Sequence, residues 1–285
     1  MSFQVTSRGL VLAALIGAAP MCPPVHANSP QTVPRIGVLI PQLADAPLGD
    51  GLREGLRDLG YIDGKTIVLE SRPPGATPEA LRSIAAELAR SKVDLLIVFS
   101  TPAARAALDA TTLPVVFLAG DPVASGLAAS LARPGGNATG VSLVTSELTA
   151  KRLEFLRLSA PRARRFILLT NSANSTTALQ LAGAREGARI LGVQLMALDA
   201  RNAAELDIAL ARIPQSGAAG VVVSAELLFL ANRARIARAL RETRLPAIFP
   251  ATEYHDAGIL MSYGPSLKAA MRRVAVYVDK DYQRR

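Results

Sequence analysis

The chain has 285 residues, a formal charge of +9, one cysteine (Cys22) and two histidines (His26 and His255). That length supports one large or two medium cores, while a lone thiol excludes an internal disulfide, and so few Cys and His exclude a zinc site built from several of them. The basic excess, 32 Lys plus Arg over 23 Asp plus Glu, is scattered. Its longest cluster, Arg162, Arg164 and Arg165, has no interleaved aromatic rings on which bases could stack, so it reads as solvated surface charge and not as a nucleic-acid face.

The amino terminus reads as a leader. Arg8 supplies a sparse positive start, residues 10–19 an apolar run too short for the ~20 residues of a membrane span, and Val25-His26-Ala27 a small-x-small cleavage signal. Cleavage after Ala27 is expected, with residues 1–27 as signal peptide, and it removes both Cys22 and His26. Lipid anchoring through Cys22 is disfavoured, because Ala19-Pro20-Met21 lacks the small residue such processing wants. In the exported part a cysteine nucleophile is then excluded, and a serine triad would have to be built on His255.

From Arg35 onward, short apolar runs alternate with amphipathic stretches. Residues 36–40, 67–69, 93–99 and 115–118 read as strands covered on both faces. Between the first two, Leu48, Leu52, Gly55, Leu56 and Leu59 share one helical face, with Arg53, Arg57 and Asp58 left for water. The next helix carries Pro78 near its start and a stripe of Leu81, Ile84, Ala85 and Leu88. Gly136-Asn137 marks a turn before a short strand, and residues 140–146 form the connection to a helix starting near Ser146. The same grammar then repeats, with strands at 166–169, 193–198, 221–223 and 247–249 and helices at 176–191, 203–213 and 228–240. Leu267, Met271, Val274 and Val278 make a final amphipathic helix. Strand and helix in alternation predict an α/β protein with two Rossmann-like lobes, each a parallel sheet flanked by helices. The expected lobes are residues 34–142 with 262–285, and residues 143–261.

In open parallel sheets ligands sit at the carboxyl ends of the strands, so the polar residues after each apolar run are the site candidates. Ser100, Thr101 and Pro102 follow 93–99, where they either cap the next helix or share its free N–H groups with a ligand carboxylate. Gly120 and Asp121 follow 115–118: Gly120 permits close backbone approach, and Asp121 either neutralises a ligand ammonium or belongs to an Asp-Pro turn. Gln42 and Ser142 occupy equivalent strand ends. In the second half the candidates are Asn171 and Asn174, Ser224 and Glu226, and Glu253, with Asn174 expected to cap its helix and Glu226 to pair with a charge or favour its helix start. Tyr263 follows a short apolar strand and is expected to offer its ring and hydroxyl to the cleft, or else to pack at a hinge. His255 reads as a surface or packing residue.

The sequence lacks GxxxxGK[ST], GxGxxG after a strand, GxSxG and HExxH, which leaves ATPase, dehydrogenase, serine-hydrolase and zincin readings unsupported. Residues 120–142, GDPVASGLAASLARPGGNATGVS, together with Thr101-Pro102 and AGILMSYGPS at 257–266, resemble the substrate-binding proteins of ABC-type importers, in the branch that includes tryptophan and tyrosine binders. The resemblance covers essentially everything after the leader. It implies a type 1 periplasmic binding protein fold with the ligand cleft between lobes, and a periplasmic, monomeric, non-enzymatic receptor without cofactor or metal. Its ligand would be an amino acid or a similarly small polar molecule, delivered to a permease and, through it, to an ATPase, with the membrane met only there. Relatives continue with a further strand and helix, so this chain looks shortened, with an exposed edge on the second lobe. Two alternatives remain at this level: an exported two-lobed enzyme using Asp121 with Glu253 as an acid–base pair, and the sensor domain of a regulator.

Overall fold

The structure, a computed structural model, describes residues 33–40, 47–73 and 77–284. The leader and Gln42 lie outside the described residues.

The first half begins with β1 (Arg35–Leu39), α1 (Pro47–Asp58), β2 (Val68–Arg72), α2 (Pro78–Arg90) and β3 (Leu95–Phe99). It continues through α3 (Thr101–Ala110), β4 (Val115–Ala119) and β5 (Ala138–Ser142). These strands form one parallel sheet in the order β2-β1-β3-β4-β5. The chain then crosses through α4 (Thr145–Ser159) into β6 (Arg165–Thr170), α5 (Thr177–Leu191), β7 (Gln194–Asp199), α6 (Ala203–Arg212) and β8 (Val221–Val223). After α7 (Leu227–Ala231), α8 (Arg233–Thr243), β9 (Ala247–Phe249), a 3₁₀ turn (Thr252–Ala257) and β10 (Met261–Ser262), it returns as α9 (Leu267–Tyr282). The second sheet, also parallel, has the order β10-β9-β8-β6-β7. Counted within each half, both sheets read 2-1-3-4-5, so each has a switch point where its first strand lies between its second and third.

The sequence pattern explains the layers. Central strands β3, β4 and β8 are buried along their whole length, whereas edge strand β2 is only half-buried, which is why the former are uninterrupted apolar runs and the latter is mixed. Leu81, Ala85 and Leu88 of α2 pack with Ala103, Ala104 and Ala107 of α3 on one face of the first sheet. Leu48, Leu52 and Leu56 of α1 meet Met271, Val274 and Val278 of α9 on the other. The approach of α1 to α9 is close enough to demand glycine: a Cβ on Gly51 would lie 2.3 Å from the Lys268 carbonyl oxygen, and one on Gly55 2.5 Å from that of Arg272. On the second sheet, Leu153 and Leu156 of α4 and Ala184 and Ala188 of α5 cover one face, and Leu206, Ile236 and Leu240 cover the other. Each half thus receives one helix by a crossing, α4 from the first sheet into the second and α9 back again.

One expected helix is interrupted. Residues 228–240, read as continuous, break at Asn232 into α7 and α8. The Asn232 side-chain amide donates to the Leu228 carbonyl at 2.8 Å, and its backbone N–H goes to the same oxygen at 3.1 Å, closing the first helix locally. No helix among the described residues is long and apolar enough to cross a membrane.

Candidate ligand-binding site between the two sheets

The carboxyl ends of both sheets face a cavity of about 70 Å³. The first half contributes Ser100, Thr101 and Gly120, and the second contributes Thr176, Glu226 and Tyr254; Thr145 and Arg152 of the crossing helix α4 complete the polar lining. The remainder is apolar, from side chains such as Phe99, Leu143 and Leu230.

Ser100 is the N-cap of α3, its hydroxyl accepting from the Ala103 N–H at 3.3 Å. It holds φ 97° and ψ 153°, a region a residue with a Cβ adopts only under strain, at a cost of about 1–3 kcal/mol. The strained turn sets the first turn of α3 at the cavity, where its N–H groups and partial positive charge favour an anion. Thr101, the first residue of that helix, is buried, lines the cavity, and its hydroxyl has no hydrogen-bond partner among the described residues. A buried hydroxyl without a partner is unusual in a folded protein.

Glu226 sits opposite, at the start of α7. One carboxyl oxygen accepts from the Asn174 side-chain amide at 2.5 Å, and the other from Gln180 Nε2 at 3.1 Å and the Thr177 hydroxyl at 3.5 Å. Burial pushes the carboxyl up from its ordinary 4.5 to about 7, against the lowering effect of those three donors. Glu226 therefore holds its proton well above the usual carboxylate range, and Thr177 and Gln180 of α5 fix its orientation.

The other sequence-level candidates fall into two groups. Gly120 lines the cavity, and a Cβ there would lie 2.7 Å from the Thr145 hydroxyl. Asp121, just behind it, is occupied by α4: it accepts from the Thr145 hydroxyl at 2.6 Å, the Ser146 N–H at 3.1 Å and the Ser146 hydroxyl at 2.9 Å. It caps the crossing helix. Ser142 donates to the Gly120 carbonyl at 3.2 Å. Asn171 accepts from the Ala173 N–H at 3.0 Å in a turn. Asn174 combines its bond to Glu226 with acceptance from the N–H and hydroxyl of Thr176, both at 3.0 Å, at the entry to α5. Ser224 is fully buried with no hydroxyl partner among the described residues, behind the cavity wall. Glu253 accepts from the Ser266 hydroxyl at 2.9 Å and the Lys268 N–H at 3.0 Å, at the start of α9. Tyr263 is not a cavity-lining residue; its ring packs edge-on against Phe155, with centroids 4.7 Å apart. His255 is exposed, its Nε2 2.9 Å from the Ser262 hydroxyl.

Four polar lining residues, Thr145, Arg152, Thr176 and Tyr254, were not among the candidates read from the sequence. Tyr254, in the 3₁₀ turn, is buried against Phe249 and reaches the cavity, and burial raises its phenol pKa. Arg152 lies within TSELTAKRLEFLR, where a charge is expected to face water, yet it is 0% exposed. The signal that could have exposed it is the spacing Thr145, Thr149, Arg152, Leu156, a buried stripe that turns polar toward the cavity. Among the described residues no group of three or more His, Cys, Asp or Glu side chains could hold a metal ion.

The family model for ABC transporter substrate-binding proteins matches residues 38–280. The chain belongs to that family. Substrate-binding proteins of ABC transporters are extracytoplasmic. A tyrosine-binding protein of Clostridioides difficile is 34% identical over 148 residues, a stretch that is 50% of this chain and 42% of that relative's length. Among solved structures, a conserved domain protein from Vibrio cholerae has a TM-score of 0.80 at 22% identity, covering 88% of this chain and 86% of its own. An ABC domain from Streptococcus pneumoniae in complex with L-Trp has a TM-score of 0.75 at 21% identity, covering 87% and 85%. The structural likenesses establish the two-lobed α/β fold of the type 1 periplasmic binding proteins, and the family and the curated relative are those of solute-binding proteins, not enzymes.

Proposed function

We propose that this substrate-binding protein captures an amino acid or a closely related small polar molecule in the cavity between its lobes and presents it to an ABC permease for import. The observation that carries this reading is that polar groups from both lobes, Thr101 and Gly120 on one side and Thr176 and Glu226 on the other, line one cavity. A ligand contacting both walls gains all of its contacts only when the lobes are together, so binding shifts the population toward closure. We take the lobes as residues 34–142 with 262–285, and residues 143–261. The two crossings between them are the hinge, and Val144, a β-branched residue at φ 49° and ψ 47°, marks strain on the first.

The size of the cavity bears on the ligand. At about 70 Å³ it holds a few water molecules or a small head group, far less than the ~300–1,000 Å³ of sites for larger ligands. A solute with a bulky side chain therefore enters as the lobes part. Export by cleavage after Ala27 into the periplasm fits the extracytoplasmic role of the family.

Thermal denaturation of the leader-free chain with L-leucine, L-tyrosine, L-tryptophan, nucleosides and small carboxylates tests the reading, together with small-angle scattering. A ligand at 100 times its Kd stabilises the native state by about 2.7 kcal/mol, and the scattering radius should fall with it. No shift with any solute, or a shift without compaction, would refute the clamp.

A further inference from the structure

Arg152 is a fully buried cation whose bonds within the fold leave part of its donor set unused. Its guanidinium carries five N–H donors. Three are used: Nε donates to the Tyr263 carbonyl at 2.7 Å, one terminal nitrogen to the Thr149 hydroxyl at 3.2 Å, and the other to the Pro250 carbonyl at 3.4 Å. Every acceptor is neutral. No carboxylate among the described residues forms an ion pair with it, and Glu226, the acid that shares the cavity, bonds to Asn174, Gln180 and Thr177 instead.

We infer that Arg152 is the counter-charge for a carboxylate on the ligand, so that the cavity selects small carboxylate-bearing molecules over neutral or purely cationic ones. This rests on the reading of the cavity as the binding site. Two N–H groups remain after the three bonds, one on each terminal nitrogen, and a pair of N–H groups on one guanidinium is what a carboxylate accepts in a bidentate bond. Burial lowers the guanidinium to about 10, still far above neutral pH, so the group is cationic where it stands. A buried cation with neutral partners alone is costly to maintain, and a ligand anion relieves that cost. The unpartnered Thr101 hydroxyl and the first turn of α3, on the same cavity, add donors of the same preference. Arg152 also ties the two crossings together, since it stands on α4 and bonds to Tyr263 on the return path. A ligand carboxylate would then be read at the hinge.

Calorimetry on the leader-free chain separates this from a purely structural arginine. The probes are L-leucine, L-tyrosine and L-tryptophan, their carboxamides, the corresponding decarboxylated amines, and 4-methylpentanoate, which keeps the carboxylate without the ammonium. The free acids should bind, and the amides and amines should lose about 10- to 100-fold in affinity. Amides or amines that bind as tightly as the acids would overturn the assignment, as would nucleosides binding while every carboxylate fails, although the receptor reading would survive both. No binding by any probe would overturn both. Arg152→Lys, which keeps the charge and loses the fork, should bind the free acids more weakly than wild type and still prefer them to the amides. Arg152→Gln should lose that preference. If either variant fails to fold, the wild-type comparison decides alone.

Discussion

Replacing Glu226 by Gln tests the electrostatics of the cavity without any ligand. In the folded chain the carboxyl titrates near 7, and in the unfolded chain near its ordinary 4.5. Between those values the native state retains a proton that the unfolded state has released. The stabilisation from that proton is fully present below pH 4.5, is lost as pH rises through 7, and is constant thereafter. Over pH 5 to 8 the loss comes to about 2–3 kcal/mol, at about 1.4 kcal/mol per tenfold change in proton activity. Glu226 faces Asn174, Thr177 and Gln180 of the adjoining segment and α5, which do not titrate, and its charge is also felt by Tyr254, whose phenol burial pushes up and out of that range. The glutamine variant keeps shape and loses the titration, so the difference in unfolding free energy between variant and wild type isolates this one group from all others. Urea denaturation at pH 5, 6, 7 and 8 should show the variant gaining about 2–3 kcal/mol on wild type across the series, with equal slopes against urea. A difference that stays constant with pH would mean that Glu226 is ionised throughout and that burial does not govern it.

Two further substitutions probe separate parts of the argument. Thr101→Val removes a buried hydroxyl without a partner, so the melting temperature should hold or rise, while affinity for the ligand found in the screen falls about 5- to 10-fold by calorimetry; unchanged affinity would remove Thr101 from the site. Gly55→Ala places a methyl 2.5 Å from the Arg272 carbonyl oxygen and 2.9 Å from the Ala275 Cβ, so α1 must move off α9 at a net cost of about 1–3 kcal/mol, and an unaltered melting temperature would show that the two helices are looser than described.

Much of the fold was legible because central parallel strands must be apolar on both faces. Residues 93–99 and 115–118 announced β3 and β4 by composition alone, and the leucine spacing of α1 and α2 followed from having one wet face. The join at Asn232 was not legible, since its effect depends on a side-chain bond to Leu228 that competes with the helix only locally. Of the polar residues read after strands, Ser100, Thr101, Gly120 and Glu226 line the cavity, because the topology of a parallel sheet puts them at the same end. The same rule could not rank them. Asp121 and Glu253 stand at equivalent strand ends, but each accepts from the first turn of a crossing helix, Asp121 with both oxygens from α4 and Glu253 with one oxygen from α9, its other oxygen being buried without a partner among the described residues; such bonds depend on a neighbour distant in sequence.

Arg152 shows the converse limit. A sequence pattern treats charge as a mark of exposure, because desolvating an ion is costly, and only a partner distant in sequence can reverse that inference. Here the partners in the folded chain are carbonyls at 250 and 263, contributed by segments that the crossing brings back to α4 only after the second sheet is complete. Two of the five guanidinium N–H groups still have no acceptor among the described residues, so the chain does not by itself account for the burial of this cation. That imbalance is what the proposed carboxylate counter-charge role would use, whereas a purely structural arginine would be expected to satisfy its whole fork internally.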